Sequence, residues 1–384
     1  METAFKAMSN QSNEDMPTLI NCAAAWKGDE LLNSTYWNYQ LTAGEVAEIE
    51  TAICCLNNTE KIFDNLEGEF NQLSKTLANV SEELENGKGA VLLKGVPVNR
   101  CSDEEIAKVY LAMCRLLGMP IRESNSDFDS PIRSQTQFIT YIRAEAADSS
   151  QEGKQSNDAF KFHTDRCDAN SLLCIRQART GGENHLASAI TIYNEMCQSH
   201  PDIAEELFQE IPFFFEGENN WTTYPLWCIH KGKFTTQYSS AYVSLSQLIP
   251  DAPRLTEKQK QGLYLLQEIG LRVGIKLRVE PGDWLITNNH FVYHSRTSWP
   301  IEGGQYDRLL LRTWYTPFNS RELPDTPSFK TFWGAVEAGK PKGGFLPNHS
   351  TPPDQPITEP LSETDAYWLA QYMKGRWRGV DQIK

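Results

Sequence analysis

Apolar residues recur at helical spacing in the first quarter of the chain. Val46, Ile49 and Ile53, then Phe63, Leu66, Phe70, Leu73 and Leu77, predict helices across residues 43–86. Residues 1–20 are polar and read as loose chain. Gly89–Val98 is a nearly unbroken apolar run, the pattern of a strand buried on both faces. Ser102-Asp103-Glu104-Glu105 carries a helix N-cap and capping box, ahead of a stripe at Ile106, Val109, Tyr110, Met113 and Leu117.

Beyond that helix the period shortens. Strands are predicted at Gln137–Ile142, Leu172–Arg176, His185–Ala189, Phe213–Phe215, Leu226–Ile229 and Phe234–Tyr238. Gly181-Gly182 splits the second from the third. Helices are predicted at Ile192–Leu207, divided by Pro201, and at Thr256–Gly270, where Leu263, Leu266 and Ile269 share a face. The last strands read as Leu277–Glu280, Trp284–Thr287, Phe291–His294 and Arg308–Trp314, with turns at Pro281-Gly282-Asp283 and Asn288-Asn289. A hairpin between the final two would bring Arg308 to His294. The polar run 148–157 reads as a solvated connection, with an active-site lid as the alternative its position allows. Past Thr316 proline and glycine increase, and a terminal helix is predicted at Thr364–Lys374. The expected class is mainly β with added helices, a sandwich or barrel rather than a doubly wound sheet.

Composition narrows the function. The 384 residues carry a net charge of −14, which disfavours nucleic acid and acidic membrane as partners and leaves a small-molecule substrate. Nine cysteines form no Cys-x-x-Cys pair, and the odd count fits free thiols in a reducing compartment. No apolar run reaches membrane-spanning length and the N-terminus lacks a signal-peptide pattern, so the expectation is a cytoplasmic protein. Nothing in the pattern fixes an oligomeric state.

The candidate chemistry lies in His163-Thr164-Asp165, followed 131 positions later by His294 and 14 positions after that by Arg308. Residues i and i+2 of an extended segment point the same way, so His163 and Asp165 can reach one ion. Two imidazoles and one carboxylate make a facial triad suited to non-haem iron(II). The plain alternative is a pair of partly buried histidines. His290, four residues before His294, is the competing histidine. Arg308 can clamp a carboxylate bidentately, or can be a surface arginine on an edge strand. Arg312 shares its strand face. Trp221, Tyr224, Trp227 and Tyr238 are candidate substrate-pocket aromatics or core residues, and Arg166 a candidate substrate-anion contact or surface ion pair. Cys167 and Cys174 read as small buried hydrophobes.

Taken in order, six stretches carry a resemblance: Gly89–Pro97, Phe162–Asp165, Gly181-Gly182-Glu183, Pro281–Asp283, Asn289–His294 and Arg308–Trp314. The chain resembles the TauD/TfdA-like (taurine dioxygenase-like) iron(II)/2-oxoglutarate-dependent dioxygenases, with a clavaminate synthase-like interval from histidine to arginine. The resemblance implies a double-stranded β-helix (jelly-roll) core over 85–318, an N-terminal extension and helical cover over 1–84, and a C-terminal extension over 319–384. It implies Fe(II) on His163, Asp165 and His294, 2-oxoglutarate and O2 as co-substrates, and Arg308 on the C5 carboxylate. An unactivated C–H bond of an amino acid or secondary metabolite would be hydroxylated, desaturated or cyclised, with release of succinate and CO2. Halogenating relatives lack the carboxylate ligand, so Asp165 disfavours that outcome. The family usually has threonine after Gly-Gly-Asp/Glu for the co-substrate; Asn184 stands there, with Ser188 a nearby substitute. Two other classes remain: a metal-dependent barrel enzyme that does not use 2-oxoglutarate, and a non-catalytic small-molecule-binding protein on the same scaffold.

Overall fold

Where strands are buried on both faces, something must cover each face. A computed structural model describes residues 18–56, 70–121, 138–143, 157, 159–215, 220–301 and 307–344, and it supplies both covers. The N-terminal part contains α1 (Gly28–Leu32), β1 (Tyr39–Gln40), α2 (Ala43–Leu56), α3 (Asn71–Asn86), β2 (Ala90–Lys94), α4 (Asp103–Leu117) and β3 (Gly118–Ile121). The middle holds β4 (Thr140–Ile142), β5 (Phe160–His163), β6 (Ala169–Arg176), β7 (Asn184–Ser188), α5 (Ala189–Ser199) and α6 (Pro201–Glu206). Next come β8 (Glu210–Phe214), β9 (Trp221–Pro225), β10 (Trp227–His230), β11 (Lys233–Thr236), α7 (Ser240–Ser246) and α8 (Glu257–Val273). The last described part has β12 (Ile275–Leu277), β13 (Trp284–Asn288), β14 (Val292–Arg296), β15 (Leu309–Pro317) and α9 (Pro327–Trp333).

Two sheets carry the architecture. A seven-stranded sheet runs β1-β2-β13-β6-β15-β3, with β4 also on β15; a four-stranded sheet runs β12-β7-β14-β5. Alternation along the large sheet sorts its side chains into two cores. Val91, Leu93, Leu173, Trp284, Ile286, Leu309 and Leu311 pack with α2, α3 and α4. Leu92, Cys174, Leu285 and Leu310 join Phe162, Leu186 and Val292 of the smaller sheet in the other cluster. There α5 and α8 pack on β7, and a Cβ at Gly270 of α8 would meet the Phe162 ring at 2.9 Å. That close approach explains a glycine inside a helix, despite its cost there.

Local signals read in the sequence account for several boundaries. Ser102 accepts from the Glu105 amide while Glu105 reaches back, and Thr256 and Gln259 repeat the arrangement for α8. Pro201 opens α6. The expected hairpin between the last two strands does not form. β14 lies in the small sheet between β7 and β5, and β15 in the large one beside β6, so the two strands face the site from different sheets. The strand expected at Leu277–Glu280 sits earlier, at β12, because Glu280 through Asp283 form the turn into β13. The expected helical residues Phe63 and Leu66, most of the polar run 148–157 and the helix at Thr364–Lys374 lie outside the described residues.

A buried charge cluster ties the helical cover and the C-terminal segment to the sheets. Glu85 of α3 receives Arg321 Nε at 3.1 Å and Lys233 Nζ at 2.6 Å, and Glu85 and Arg321 are both nearly inaccessible. Removing one partner leaves the other charge buried without compensation. Glu85→Ala is therefore expected to lower stability by about 3–5 kcal/mol, read as a shift in urea midpoint. A loss below about 1 kcal/mol, the range of exposed pairs, would show that the cluster hydrates on mutation.

Candidate active site

Strand pairing places the two histidines. β14 runs antiparallel to β5 with His294 directly opposite His163, so both imidazoles leave the sheet on one face, ring centroids 4.3 Å apart. After β5 the chain turns, and Thr164 is latched to Tyr238: its amide donates to the Tyr238 carbonyl at 2.8 Å and its hydroxyl accepts the Tyr238 amide at 3.0 Å. Asn289 Oδ1 accepts the Asp165 amide at 3.2 Å. Thus fixed, Asp165 lies 4.0 Å (Oδ1) from His163 Nε2 and 3.6 Å (Oδ2) from His294 Nε2. One ligand atom from each of His163, Asp165 and His294 lies within 4.8 Å of the others, the one such group among the described residues.

The donor set fits a divalent cation of the first transition series. His163 Nδ1 donates to the Lys161 carbonyl at 2.8 Å, which directs the Nε2 lone pair inward. Burial and the neighbouring His163 ring hold His294 down to about 3, against the opposing pull of Asp165, so it is a neutral imidazole, as a ligand must be. Asp165 Oδ2 accepts from Asn170 Nδ2 at 2.7 Å, Trp314 Nε1 at 3.0 Å and Arg312 at 3.5 Å. These donors from β6 and β15 lock the carboxylate that the β5–β6 loop presents. Partners of this kind contribute about 10- to 100-fold to metal affinity. Asn170→Ala and Trp314→Phe are each expected to weaken Co(II) or Fe(II) binding within that range in a metal titration. Unchanged affinity in both would mean the carboxylate is oriented by its backbone alone.

Arg308, just before β15, is 2% exposed. Its Nε donates to Gln177 Oε1 at 3.0 Å, one Nη donates to the Gly182 carbonyl at 3.3 Å, and the guanidinium lies 4.4 Å from the Trp299 ring centroid. The other Nη has no partner among the described residues. Burial lowers Arg308 to about 10, so it stays charged at neutral pH. A buried cation with a spare donor calls for an anionic ligand.

The remaining candidates divide. Asn184, in β7 opposite Arg296, is buried with its Nδ2 unpartnered among the described residues, a donor to spare beside the site. Ser188 is accounted for otherwise: its hydroxyl donates to the Ala24 carbonyl and caps α5 through the Thr191 amide. Arg312 bears on Asp165 itself. Arg166 donates to the Gly344 carbonyl at 2.6 Å and lies over Phe215 and Phe332. Tyr224 and Trp227 are fully buried core residues, bonded to Trp333 and Tyr293. Trp221 is half-buried in β9, and Tyr238 is buried, its backbone holding Thr164. His290 lies away from the metal group, its Nε2 on Asp168 at 2.7 Å and its Nδ1 on Thr235. Gln177, Trp299, Asn170 and Trp314 escaped sequence reading, since single amides and indoles carry no spacing that marks them.

Comparison with known proteins agrees with this geometry. Residues 62–314, about two-thirds of the chain, match the taurine catabolism dioxygenase TauD, TfdA family. FR-33289 synthase of Streptomyces rubellomurinus (strain ATCC 31215) is 28% identical over 332 residues, covering 83% of this chain and 96% of its own. Taurine hydroxylase-like protein SAT17 of Stachybotrys chartarum (strain CBS 109288 / IBT 7711) is 25% identical, covering 76% and 78%. Among solved structures, asparagine oxygenase in complex with Fe(II), 2S,3S-3-hydroxyasparagine and succinate superimposes with a TM-score of 0.58 at 16% identity, over 73% of this chain and 93% of its own. The non-haem iron oxygenase OrfP in complex with Fe and alpha-ketoglutaric acid gives 0.56 at 15% identity, over 79% and 100%. The chain belongs to the TauD/TfdA dioxygenase family.

Proposed function

We propose that His163, Asp165 and His294 hold Fe(II), that Arg308 and Asn184 seat 2-oxoglutarate, and that the enzyme oxidises a C–H bond of a small molecule of the amino-acid or secondary-metabolite class. The observation that carries this reading is the convergence of the three ligand atoms within 4.8 Å beside a buried arginine with a spare donor. Iron(II) with 2-oxoglutarate, when bound, supplies O2 activation and C–H oxidation, with succinate and CO2 as co-products. The protein's own part is placement and exclusion of water. Arg308 takes the distal carboxylate, and Asn184 supplies the amide donor where relatives use a hydroxyl. Arg312, Asn170 and Trp314 neutralise and aim Asp165. The apolar lining between the sheets keeps the site dry.

The two sheets are read as a jelly-roll core spanning 85–318. Residues 1–84 are read as an N-terminal extension whose described helices cover that core, and 319–384 as a C-terminal extension. The packing of α2 and α3 on the large sheet and the Glu85–Arg321 pair support that division. No helix among the described residues is long and apolar enough to cross a membrane. The substrate class draws support from asparagine oxygenase and from OrfP, which was captured with (3S)-hydroxy-L-Arg. Anaerobic loading with Fe(II) and 2-oxoglutarate, then a screen of amino acids and metabolites under O2, tests the reading. Substrate-stimulated succinate with a matching product mass shift is expected. Bound iron with no succinate above background for any candidate would favour an enzyme that does not use 2-oxoglutarate.

A further inference from the structure

Several buried or half-buried arginines in this protein meet a carboxylate. Arg176 makes a bidentate pair with Asp103 at 2.8 and 2.9 Å, Arg321 pairs with Glu85, and Arg312 reaches Asp165. Arg308 meets none among the described residues. Among the described residues its hydrogen-bond and ring partners are all neutral: the Gln177 amide, the Gly182 carbonyl and the Trp299 indole. Of the ionisable groups that act on it, Arg278 is a second cation and Cys174 is kept a neutral thiol by burial, its pKa raised to about 12.

Gln177 stands at the centre of this cage. It is 6% exposed, and both ends of its amide are engaged: Oε1 accepts Arg308 Nε and the Ala178 amide, each at 3.0 Å, while Nε2 donates to the Val279 carbonyl at 2.8 Å. A donor on one side and an acceptor on the other fix the amide orientation, and with it the guanidinium plane. Nothing larger than glycine fits beside them. A Cβ at Gly182, whose φ is +68°, would lie 2.8 Å from Arg308 Nε and 3.4 Å from Gln177 Oε1.

We propose that Gln177 is a positioning residue for the co-substrate: its neutral amide orients Arg308 while leaving the guanidinium charge uncompensated for the incoming dicarboxylate. This rests on the reading of Arg308 as the co-substrate anchor and adds what makes that anchor available. A carboxylate at position 177 would have nearly the same shape but would pair with Arg308 first, so 2-oxoglutarate would have to compete with a covalently tethered rival.

The test compares two ligands on two variants, by anaerobic calorimetric titration of the Fe(II)-loaded protein. The probes are 2-oxoglutarate and 2-oxovalerate, which has the same chain length without the distal carboxylate. Gln177→Glu is expected to weaken 2-oxoglutarate binding about 10- to 100-fold and 2-oxovalerate less than about twofold, the differential a buried charge pair commands. Gln177→Met, which removes the orienting acceptor but adds no charge, is expected to cost 2-oxoglutarate only roughly 3- to 10-fold, in line with one lost hydrogen bond. Equal losses for both ligands in Gln177→Glu, or equal losses of 2-oxoglutarate in the two variants, would overturn the proposal. Should Gln177→Glu not fold, unchanged 2-oxoglutarate binding in Gln177→Met overturns it. Arg308→Met separates this inference from its basis. If Arg308→Met leaves 2-oxoglutarate binding intact, the anchor reading itself fails; if it weakens binding while Gln177→Glu does not, only the role of Gln177 fails.

Discussion

Asp165→Ala is expected to abolish stoichiometric iron binding, with turnover falling by more than about 100-fold, beyond what loss of an outer hydrogen-bonding partner causes. The substitution removes the only anion among three ligands and leaves two neutral imidazoles facing a dication. It also deprives Asn170 and Trp314 of their shared acceptor, so part of any effect would be structural. Asp165→Asn separates the two contributions, because the amide oxygen still accepts from Trp314 while the charge is gone. Iron loss in both variants, with near-ultraviolet circular dichroism retained in the asparagine form, is the expected pattern. An asparagine variant that binds iron as tightly as the native chain would remove Asp165 from the ligand set.

The second large effect falls on Arg308, and it has opposite signs for binding and for stability. Arg308→Met removes a buried cation whose partner arrives only with the co-substrate. The 2-oxoglutarate dissociation constant is expected to rise by about 30- to several-thousand-fold, since losing one side of a desolvated charge pair costs about 2–5 kcal/mol. The ligand-free protein should meanwhile melt at a higher temperature, because burying an uncompensated guanidinium opposes folding. Calorimetric titration and thermal denaturation of the same preparation read both. A variant that binds 2-oxoglutarate normally, or whose free form is less stable than the native chain, would contradict this account.

How much of this was legible depended on whether the controlling interaction was local. The capping box of α4 and the break at Pro201 are set by side chains within a few residues of the backbone they act on, so sequence alone placed them. The buried strand β2 showed itself as a continuous apolar run. By contrast, the expected hairpin carrying Arg308 to His294 assumed that neighbours in sequence are neighbours in a sheet. β14 and β15 instead pair with β5, β7, β6, β3 and β4, partners up to two hundred positions away. The arginine reaches the site from the opposite sheet.

Side chains show the same division. The His163–Asp165 spacing and the 14-residue step to Arg308 were legible because ligand chemistry restricts residue type. Ser188 looked available as a hydroxyl, but it is committed to the first turn of α5 and to Ala24, a contact across more than 160 positions. Tyr224 and Trp227 had the composition of pocket aromatics and the environment of a core. Gln177 offered no signal, because a single glutamine in a strand end is common and its role exists only through Val279 and Arg308, both more than 100 positions away.

Anomalous diffraction at the iron edge, from crystals grown anaerobically with Fe(II) and 2-oxoglutarate, tests the central claim most directly. The account expects one strong peak within bonding distance of His163 Nε2, the Asp165 carboxylate and His294 Nε2, with the keto-acid's far carboxylate on the free Nη of Arg308. A peak seated elsewhere, or a metal on His163 and Asp165 with the His294 ring turned away, would contradict it.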